Sequence, residues 1–310
     1  MGTFEEIATH LKKAQNILVL LHNFPDGDTI ASSLALSAYL RAVNKKVDCA
    51  VKGDIPEVFN FLPGISEIKN DFLLGDYDLI IAVDCGDANR TGFPERLEQV
   101  CKNKPLINID HHLRNNLYKI AKVNLVDDRA SAAAEIIFRL LRYLGAEIDG
   151  RIATYILAGI YYDTGGFHHP NVTVDTLKIA SECLHLGGRI GLVSQNLSFS
   201  RRSSALKLWG VALRKMQIRE DGIVVACLTR EDLTQCKASE DDASGIVNLI
   251  NTLPDTKIAI LLVETEAGKI KASLRTESDE IDVSRLARLF EGGGHKKAAG
   301  FVTDKLDLEL

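Results

Sequence analysis

The chain has 310 residues, 46% hydrophobic and 25% charged, with a formal net charge of −5. That is an ordinary globular composition, long enough for two domains with cores of their own. The acidic balance argues against a grip on long duplex nucleic acid, which needs a basic track, so any nucleic-acid partner should be short and held in a defined site.

The longest apolar runs fall far short of a membrane span, and the N-terminus lacks a basic-then-apolar signal pattern. Six cysteines (Cys49, Cys85, Cys101, Cys183, Cys227, Cys236) show no CxxC spacing, against a zinc ribbon or a secreted disulfide scaffold. A cytoplasmic protein with reduced thiols and no membrane partner is expected.

A short helix over 3–14 leads into Ile17-Leu18-Val19-Leu20-Leu21, which reads as a buried parallel strand. Next comes His22-Asn23-Phe24-Pro25-Asp26-Gly27-Asp28, then a helix over 29–43 with Ile30, Leu34, Leu36 and Leu40 among its apolar positions. One His and two Asp thus stand at the carboxyl end of a strand, where open α/β sheets place their ligands. Pro25 and Gly27 are expected to make the tight turn that brings both carboxylates toward one point. Like charges so close repel unless a divalent cation lies between them, and oxygen with imidazole suits Mn²⁺, Mg²⁺, Zn²⁺ or Fe²⁺. The competing reading is a helix cap beside a satisfied core histidine.

Residues 46–51 read as a second strand. A third over 78–83 ends in Asp84-Cys85-Gly86-Asp87. After a helix near 94–102, a fourth over 105–109 ends in Asp110-His111-His112. The alternation predicts a parallel sheet with right-handed crossovers. Three strand ends at one sheet edge, each bearing Asp or His, are more than caps alone explain. Helices follow over 131–144, with Ser131 as its cap, over 152–162, and over 173–186. The second of these runs into Asp163-Thr164-Gly165-Gly166-Phe167, making Asp163 a further candidate ligand, although a helix C-terminal turn would also explain Gly165.

The polar run 189–203 reads as the connection between a domain over 1–188 and one over 204–310. The second has a helix over 204–217, strands over 222–228, 257–263 and 269–274, the last two joined as a hairpin, and a helix over 284–290. Then follows Gly292-Gly293-Gly294-His295-Lys296-Lys297-Ala298-Ala299-Gly300. Consecutive backbone N–H groups near a helix start would form an anion-binding concavity there. His295, Lys296 and Lys297 add donors and charge, and Arg275 offers a planar fork for phosphate.

The candidates His22, Asp26, Asp28, Asp84, Asp110, His111, His112 and Asp163 suffice for two cations sharing a bridging carboxylate. Such pairs sit ~3.5–4 Å apart and clamp the attacking and leaving oxygens of a phosphoryl displacement. The remaining Asp and His of 110–112 would then orient a ligand and contact phosphate. A dinucleotide-binding reading fails, because the first turn lacks G-x-G-x-x-G and carries two carboxylates; no G-x-x-x-x-G-K-[ST] is present either.

Four motifs, His22-x-x-Pro25-Asp26-Gly27-Asp28, Val83-Asp84-Cys85-Gly86-Asp87, Asp110-His111-His112 and Asp163-Thr164-Gly165, resemble those of the DHH phosphoesterase family. Ser273-Leu274-Arg275 and the glycine-histidine run resemble its DHH-associated C-terminal domain. Within the family the chain is most similar to the bifunctional oligoribonucleases and 3′-phosphoadenosine-5′-phosphate phosphatases, the nanoRNases. The resemblance implies an α/β fold with an N-terminal parallel-sheet domain, a smaller C-terminal α/β domain and a site in the cleft between them. It implies a hydrolase using two divalent cations, Mn²⁺ first, on short RNA, linear or cyclic diadenylates, or the 3′-phosphorylated nucleotide. His22, Asp26 and Asp84 would hold one metal, and Asp28, Asp84, His111 and Asp163 the other, with Asp84 bridging. His112 would meet the scissile phosphate, Asp110 would support the histidines, and Arg275, Gly293, Gly294 and His295 would bind substrate.

The chain departs from the pattern at Glu291, where the family often has glycine, and at His168-His169, where it often has Arg and an aromatic. A homodimer stays open as a partner. The rival readings are a cyclic-dinucleotide or diadenylate phosphodiesterase, a manganese pyrophosphatase, which lacks such a glycine-histidine loop, and a non-catalytic nucleotide sensor. A lost ligand would mark the sensor, and none is lost.

Overall fold

The protein was analysed as a computed structural model, which describes residues 2–112, 116–199 and 202–304. The chain divides into two compact units, Met1–Ser200 and Arg201–Leu310. The first opens with α1 (Thr3–Lys13), β1 (Asn16–Leu20), α2 (Gly27–Ala42), β2 (Lys46–Ala50) and β3 (Leu79–Val83). It continues with α3 (Pro94–Val100), β4 (Leu106–Asp110), α4 (Asn116–Ile120), β5 (Val123–Val126), α5 (Ala133–Tyr143) and α6 (Gly150–Asp163). It closes with α7 (Val174–His185), α8 (Ile190–Ser194) and a π-helical turn over Gln195–Phe199.

The five strands are parallel, in the order β2-β1-β3-β4-β5. Alternate side chains point to opposite faces. Ile17 and Val19 join a core with α2, α5 and α6, while Leu18 and Leu20 join another with Leu97 of α3 and Leu117 of α4. Burial on both faces is why these strands are continuous apolar runs. Parallel pairing also brings the ends of β1, β3 and β4 to one edge.

The expectation missed β5, a four-residue strand at the sheet edge that is mostly half-buried and so lacks a strong pattern. Ser131 does not cap α5. The N-cap is Ala132, without a side-chain bond, and the Ser131 N–H and hydroxyl both donate to Glu135 Oε2, at 3.2 and 3.0 Å. Residues 190–199, inside the run read as a domain connection, are helical, and Val193 is buried in the first unit's core.

The second unit runs α9 (Ser203–Lys215), β6 (Gln217–Ile218), β7 (Ile223–Leu228), α10 (Arg230–Cys236), α11 (Ile246–Ile250), β8 (Ile258–Glu264), β9 (Ile270–Arg275), α12 (Val283–Arg288), β10 (Gly293–His295) and β11 (Ala298–Thr303). Its six strands take the order β10-β11-β9-β8-β7-β6, with only β7 and β8 parallel. The expected hairpin is β8–β9. Leu208, Leu233 and Ile246 pack on one face of the sheet, and Val283 and Ala287 on the other. The fold is mixed α/β, a parallel-sheet domain followed by a smaller mixed-sheet domain.

The glycine run corrects the expectation of a helix start. It leaves the C-terminal end of α12 and forms edge strand β10, paired with β11 as Gly293↔Gly300, Gly294↔Ala299 and His295↔Ala298. Its backbone N–H groups are those of a sheet edge, unpaired on one side. Among the described residues no helix is long and apolar enough to cross a membrane.

Candidate metal centre

The eight candidates of the first unit converge. His22 follows β1, Asp84 follows β3, Asp110 ends β4, and Asp163 is the last residue of α6. Asp84 takes φ +57, the left-handed region. That conformation costs roughly 1–2 kcal/mol for most residues and least for Asp and Asn. Its N–H still donates to the Ile109 carbonyl at 2.9 Å, so the sheet ladder holds the strained residue in place.

Asp26 both caps a helix and faces the candidate cluster. Its Oδ1 accepts the N–H groups of Asp28 and Thr29 at 3.1 Å, capping α2, while Oδ2 lies 3.5 Å from His22 Nε2. Asp28, 0% exposed, caps a different helix: its carboxylate accepts the N–H groups of Ala133 and Ala134 at the start of α5. Two glycines make room. A Cβ at Gly27 would lie 2.5 Å from the Tyr162 ring, and one at Gly159 would lie 2.5 Å from Asp28 Oδ1. Gly27 is therefore the first residue of α2, needed for close packing, and not the turn-former expected. The left-handed residue of that turn is Phe24, at φ +54. Gly159 escaped the sequence reading because a single glycine inside an apolar helix carries no local signal.

Two imidazoles have their tautomers set from behind. His22 Nδ1 lies 2.8 Å from the Asn23 carbonyl and His111 Nδ1 3.4 Å from the Ala130 carbonyl, so each donates there and turns Nε2 inward. His111 Nε2 lies 3.4 Å from Asp84 Oδ1 and 3.2 Å from Asp163 Oδ2, and His22 Nε2 lies 3.9 Å from Asp84 Oδ2. These two Nε2 atoms and Asp84 Oδ1 are buried without a hydrogen-bond partner among the described residues. Buried polar atoms are normally satisfied, so a converging set of unsatisfied ones fits the donor set of a cation. Three sets have ligand atoms within 4.8 Å of one another: His22 with Asp26 and Asp84, Asp28 with His111 and Asp163, and Asp84 with His111 and His112.

The electrostatics agree. Burial, then the charges of Asp84 and Asp163, hold the Asp28 carboxyl well above its usual range. Burial likewise raises Asp163, with the neighbouring His111 imidazole opposing the rise and Asp84 and Asp26 adding repulsion. Burial opposes charge on His111, yet the carboxylates of Asp163 and Asp84 beside its Nε2 push it up to about 12. Protons here do the neutralising that a divalent cation would do.

Asp110 has a different task. It accepts N–H bonds from Gly86 and from His112, the latter at 2.9 Å, and its Oδ1 lies 2.8 Å from His112 Nδ1. The hydrogen bond to Asp110 and the Asp84 carboxylate beside it raise His112 to about 9. The imidazole is held by its Nδ1 edge with Nε2 left over, on a partly exposed side chain. His168 and His169 are exposed and donate their Nδ1 edges to the carbonyls of Gly165 and Asp163, at 2.9 and 3.1 Å.

In the second unit Arg275 ends β9, as expected. Its Nε donates to Asn248 Oδ1 at 3.0 Å and its Nη1 to the Leu274 carbonyl at 2.8 Å, and it forms no ion pair among the described residues. Neutral acceptors thus aim the fork without quenching its charge. Asn248 was not foreseen; it lies 27 residues away from Arg275 in sequence. Lys296 and Lys297 are committed elsewhere, to the Asp279 carbonyl and the Asp279 carboxylate, which leaves exposed His295 as the polar side chain of the run. Glu291 sits at φ +58, a conformation glycine adopts freely.

Comparison with known proteins gives matches in both units. Residues 16–160 match the DHH family, N-terminal domain, and residues 220–309 match the DHHA1 domain. The bifunctional oligoribonuclease and PAP phosphatase NrnA of Thermus thermophilus is 31% identical over 305 residues, 98% of this chain and 89% of that protein. Its namesake from Bacillus subtilis is 26% identical, over 95% of this chain and 91% of its own. The crystal structure of an exopolyphosphatase-related protein from Bacteroides fragilis superposes with a TM-score of 0.90 at 26% identity, covering 99% of this chain and 92% of that one. Matched in both of its domains and similar over nearly its whole length to these relatives, the chain belongs to the DHH family.

Proposed function

We propose that this chain is a phosphoesterase dependent on two divalent cations, Mn²⁺ first, that hydrolyses short oligoribonucleotides and the 3′-phosphate of 3′-phosphoadenosine 5′-phosphate. It is a hydrolase of phosphate esters by family, and the substrates are those in the names of its relatives. The observation that carries the metal reading is the buried, unpartnered convergence of His22 Nε2, His111 Nε2 and Asp84 Oδ1. His22, Asp26 and Asp84 would hold one cation, and Asp28, Asp84, His111 and Asp163 the other. Asp84 supports a bridge because Oδ2 faces His22 and Oδ1 faces His111. Bound there, two cations supply polarisation of a phosphoryl oxygen and a water nucleophile at neutral pH.

In the hydrolysis a water oxygen bonds to phosphorus, the P–O bond to the leaving group breaks, and the departing oxygen takes up a proton. Asp110 fixes the His112 ring, so that Nε2 is this chain's own donor to a phosphoryl or departing oxygen. Substrate contacts in the second unit are assigned to the Arg275 fork, the edge-strand backbone of Gly293 and Gly294, and His295.

Two measurements test the reading. Electron paramagnetic resonance should count two Mn²⁺ per chain. A substrate panel should show turnover of the 3′-phosphorylated nucleotide and of RNA of two to five nucleotides. Faster turnover of a cyclic or linear diadenylate moves the assignment to a dinucleotide phosphodiesterase, and tight binding without any turnover makes the chain a sensor.

A further inference from the structure

Phe24 stands between His22 and Asp26, two residues from each. Its Cα therefore lies within about 7 Å of theirs along the chain. Its side chain is 86% exposed, more than any other large apolar side chain among the described residues. Its backbone is left-handed, at φ +54, and the next residue is Pro25.

Each fact alone is ordinary. A single exposed apolar residue needs no explanation. A left-handed residue in a turn is common when it is Gly, Asn or Asp. Here one position combines three costs: a bulky side chain in the left-handed region, a following proline that restricts its backbone further, and an aromatic ring in water. Asn or Gly would lower the first, and any polar residue the last. The packing that forces Gly27 and Gly159 is absent, since the ring meets solvent. A neighbouring turn holds this one in place: the Asn23 N–H donates to the Arg90 carbonyl at 2.5 Å.

An exposed aromatic face at the edge of a phosphate-ester site is a feature that holds single-stranded nucleotides, because every base has a π-face on which to stack. We infer that Phe24 is a stacking platform for the nucleobase next to the phosphate being cleaved. The inference rests on the phosphoesterase reading above. It adds that the first unit recognises the base as well as the phosphate, without regard to base identity.

The test compares a diadenylate with an abasic dinucleotide of the same backbone. Phe24→Ala should lower kcat/KM on the diadenylate by about 5- to 150-fold, the range of one base–aromatic stack. It should leave the abasic substrate and the Mn²⁺ count unchanged. Phe24→Tyr should restore the rate. Phe24→Asn, which suits the left-handed backbone, should melt no lower than wild type while losing rate as Phe24→Ala does.

A turnover-independent readout is the quenching of a 2-aminopurine dinucleotide, expected on wild type and reduced on Phe24→Ala. Equal losses on both dinucleotides, no loss on either, or unchanged quenching would overturn the stacking role. If wild type hydrolyses no ester of the panel, the phosphoesterase reading fails instead, and the quenching comparison still decides whether Phe24 binds a base.

Discussion

Asp84 answers three demands at once: it must adopt φ +57, stay buried at 1% exposure, and present one oxygen to each histidine. Asn satisfies the first two, since it tolerates the left-handed region and matches the volume, but brings no charge. Asp84→Asn should therefore fold while turnover is lost, because both cations lose a partner. Retention of a tenth of wild-type turnover at saturating Mn²⁺ would refute the bridge.

Glu291 is the opposite case, strained while its side chain makes no hydrogen bond or ion pair among the described residues. Glu291→Gly should stabilise by about 1 kcal/mol, read as a raised melting temperature, through relief of φ +58. Arg275→Ala should lower kcat/KM on a dinucleotide by about 30- to 1000-fold, or 2–4 kcal/mol. A small generic phosphodiester should be nearly indifferent, and the Mn²⁺ count unchanged. Since Arg275 also bonds Asn248 and the Leu274 carbonyl, a stability loss of about 1 kcal/mol should accompany it. Equal losses on both substrates would assign Arg275 to the fold.

At the scale of elements, the candidate metal centre depends on how closely α2, α5 and α6 approach. Asp28 on α2 caps α5, and Gly159 of α6 leaves the space its carboxylate fills. Gly159→Ala should cost about 1–3 kcal/mol by overpacking and should also reduce Mn²⁺ bound per chain, because the displaced group is a candidate ligand. Gly210, inside α9, is a matched control: a Cβ there meets nothing within 4 Å. Gly210→Ala should instead stabilise by about 0.5–1 kcal/mol, since Ala loses less backbone entropy in a helix. Thermal melts of the two variants should move in opposite directions. The same sign for both would mean that the packing around Gly159 is misread.

For the whole molecule, a net charge of −5 and the absence of an extended basic track limit how much substrate can be held. Rates should fall as RNA lengthens, and degradation of a 25-mer as fast as a dimer would contradict this. Mn²⁺ should also stabilise the folded chain by mass action, about 2.7 kcal/mol at a hundredfold excess over Kd, because candidate ligands gathered from three strand ends and two helices exist as a set only when folded. A melting temperature indifferent to Mn²⁺ and to its chelation would argue against a resident metal.

Much of this was legible in the residues themselves. Runs such as Leu79-Ile80-Ile81-Ala82-Val83 can be buried only with both faces covered, which dictates a parallel sheet, and parallel strands bring the residues after them to one edge. His22, Asp84 and Asp110-His111-His112 were found that way. Weakly patterned elements were not: the edge strands β5 and β10 and the interior strand β11 are half-exposed or glycine-rich, so their periodicity is weak. Nor could local sequence show that Asp28 caps a helix 105 residues onward or that Ala130 sets the tautomer of His111. It did not mark Gly159 as the space for a carboxylate, or Phe24 as the residue taking the strain of its turn. A pattern along the chain reports which face of an element a side chain occupies. Which atom meets it there is decided by packing between elements distant in sequence, and so only by the tertiary structure.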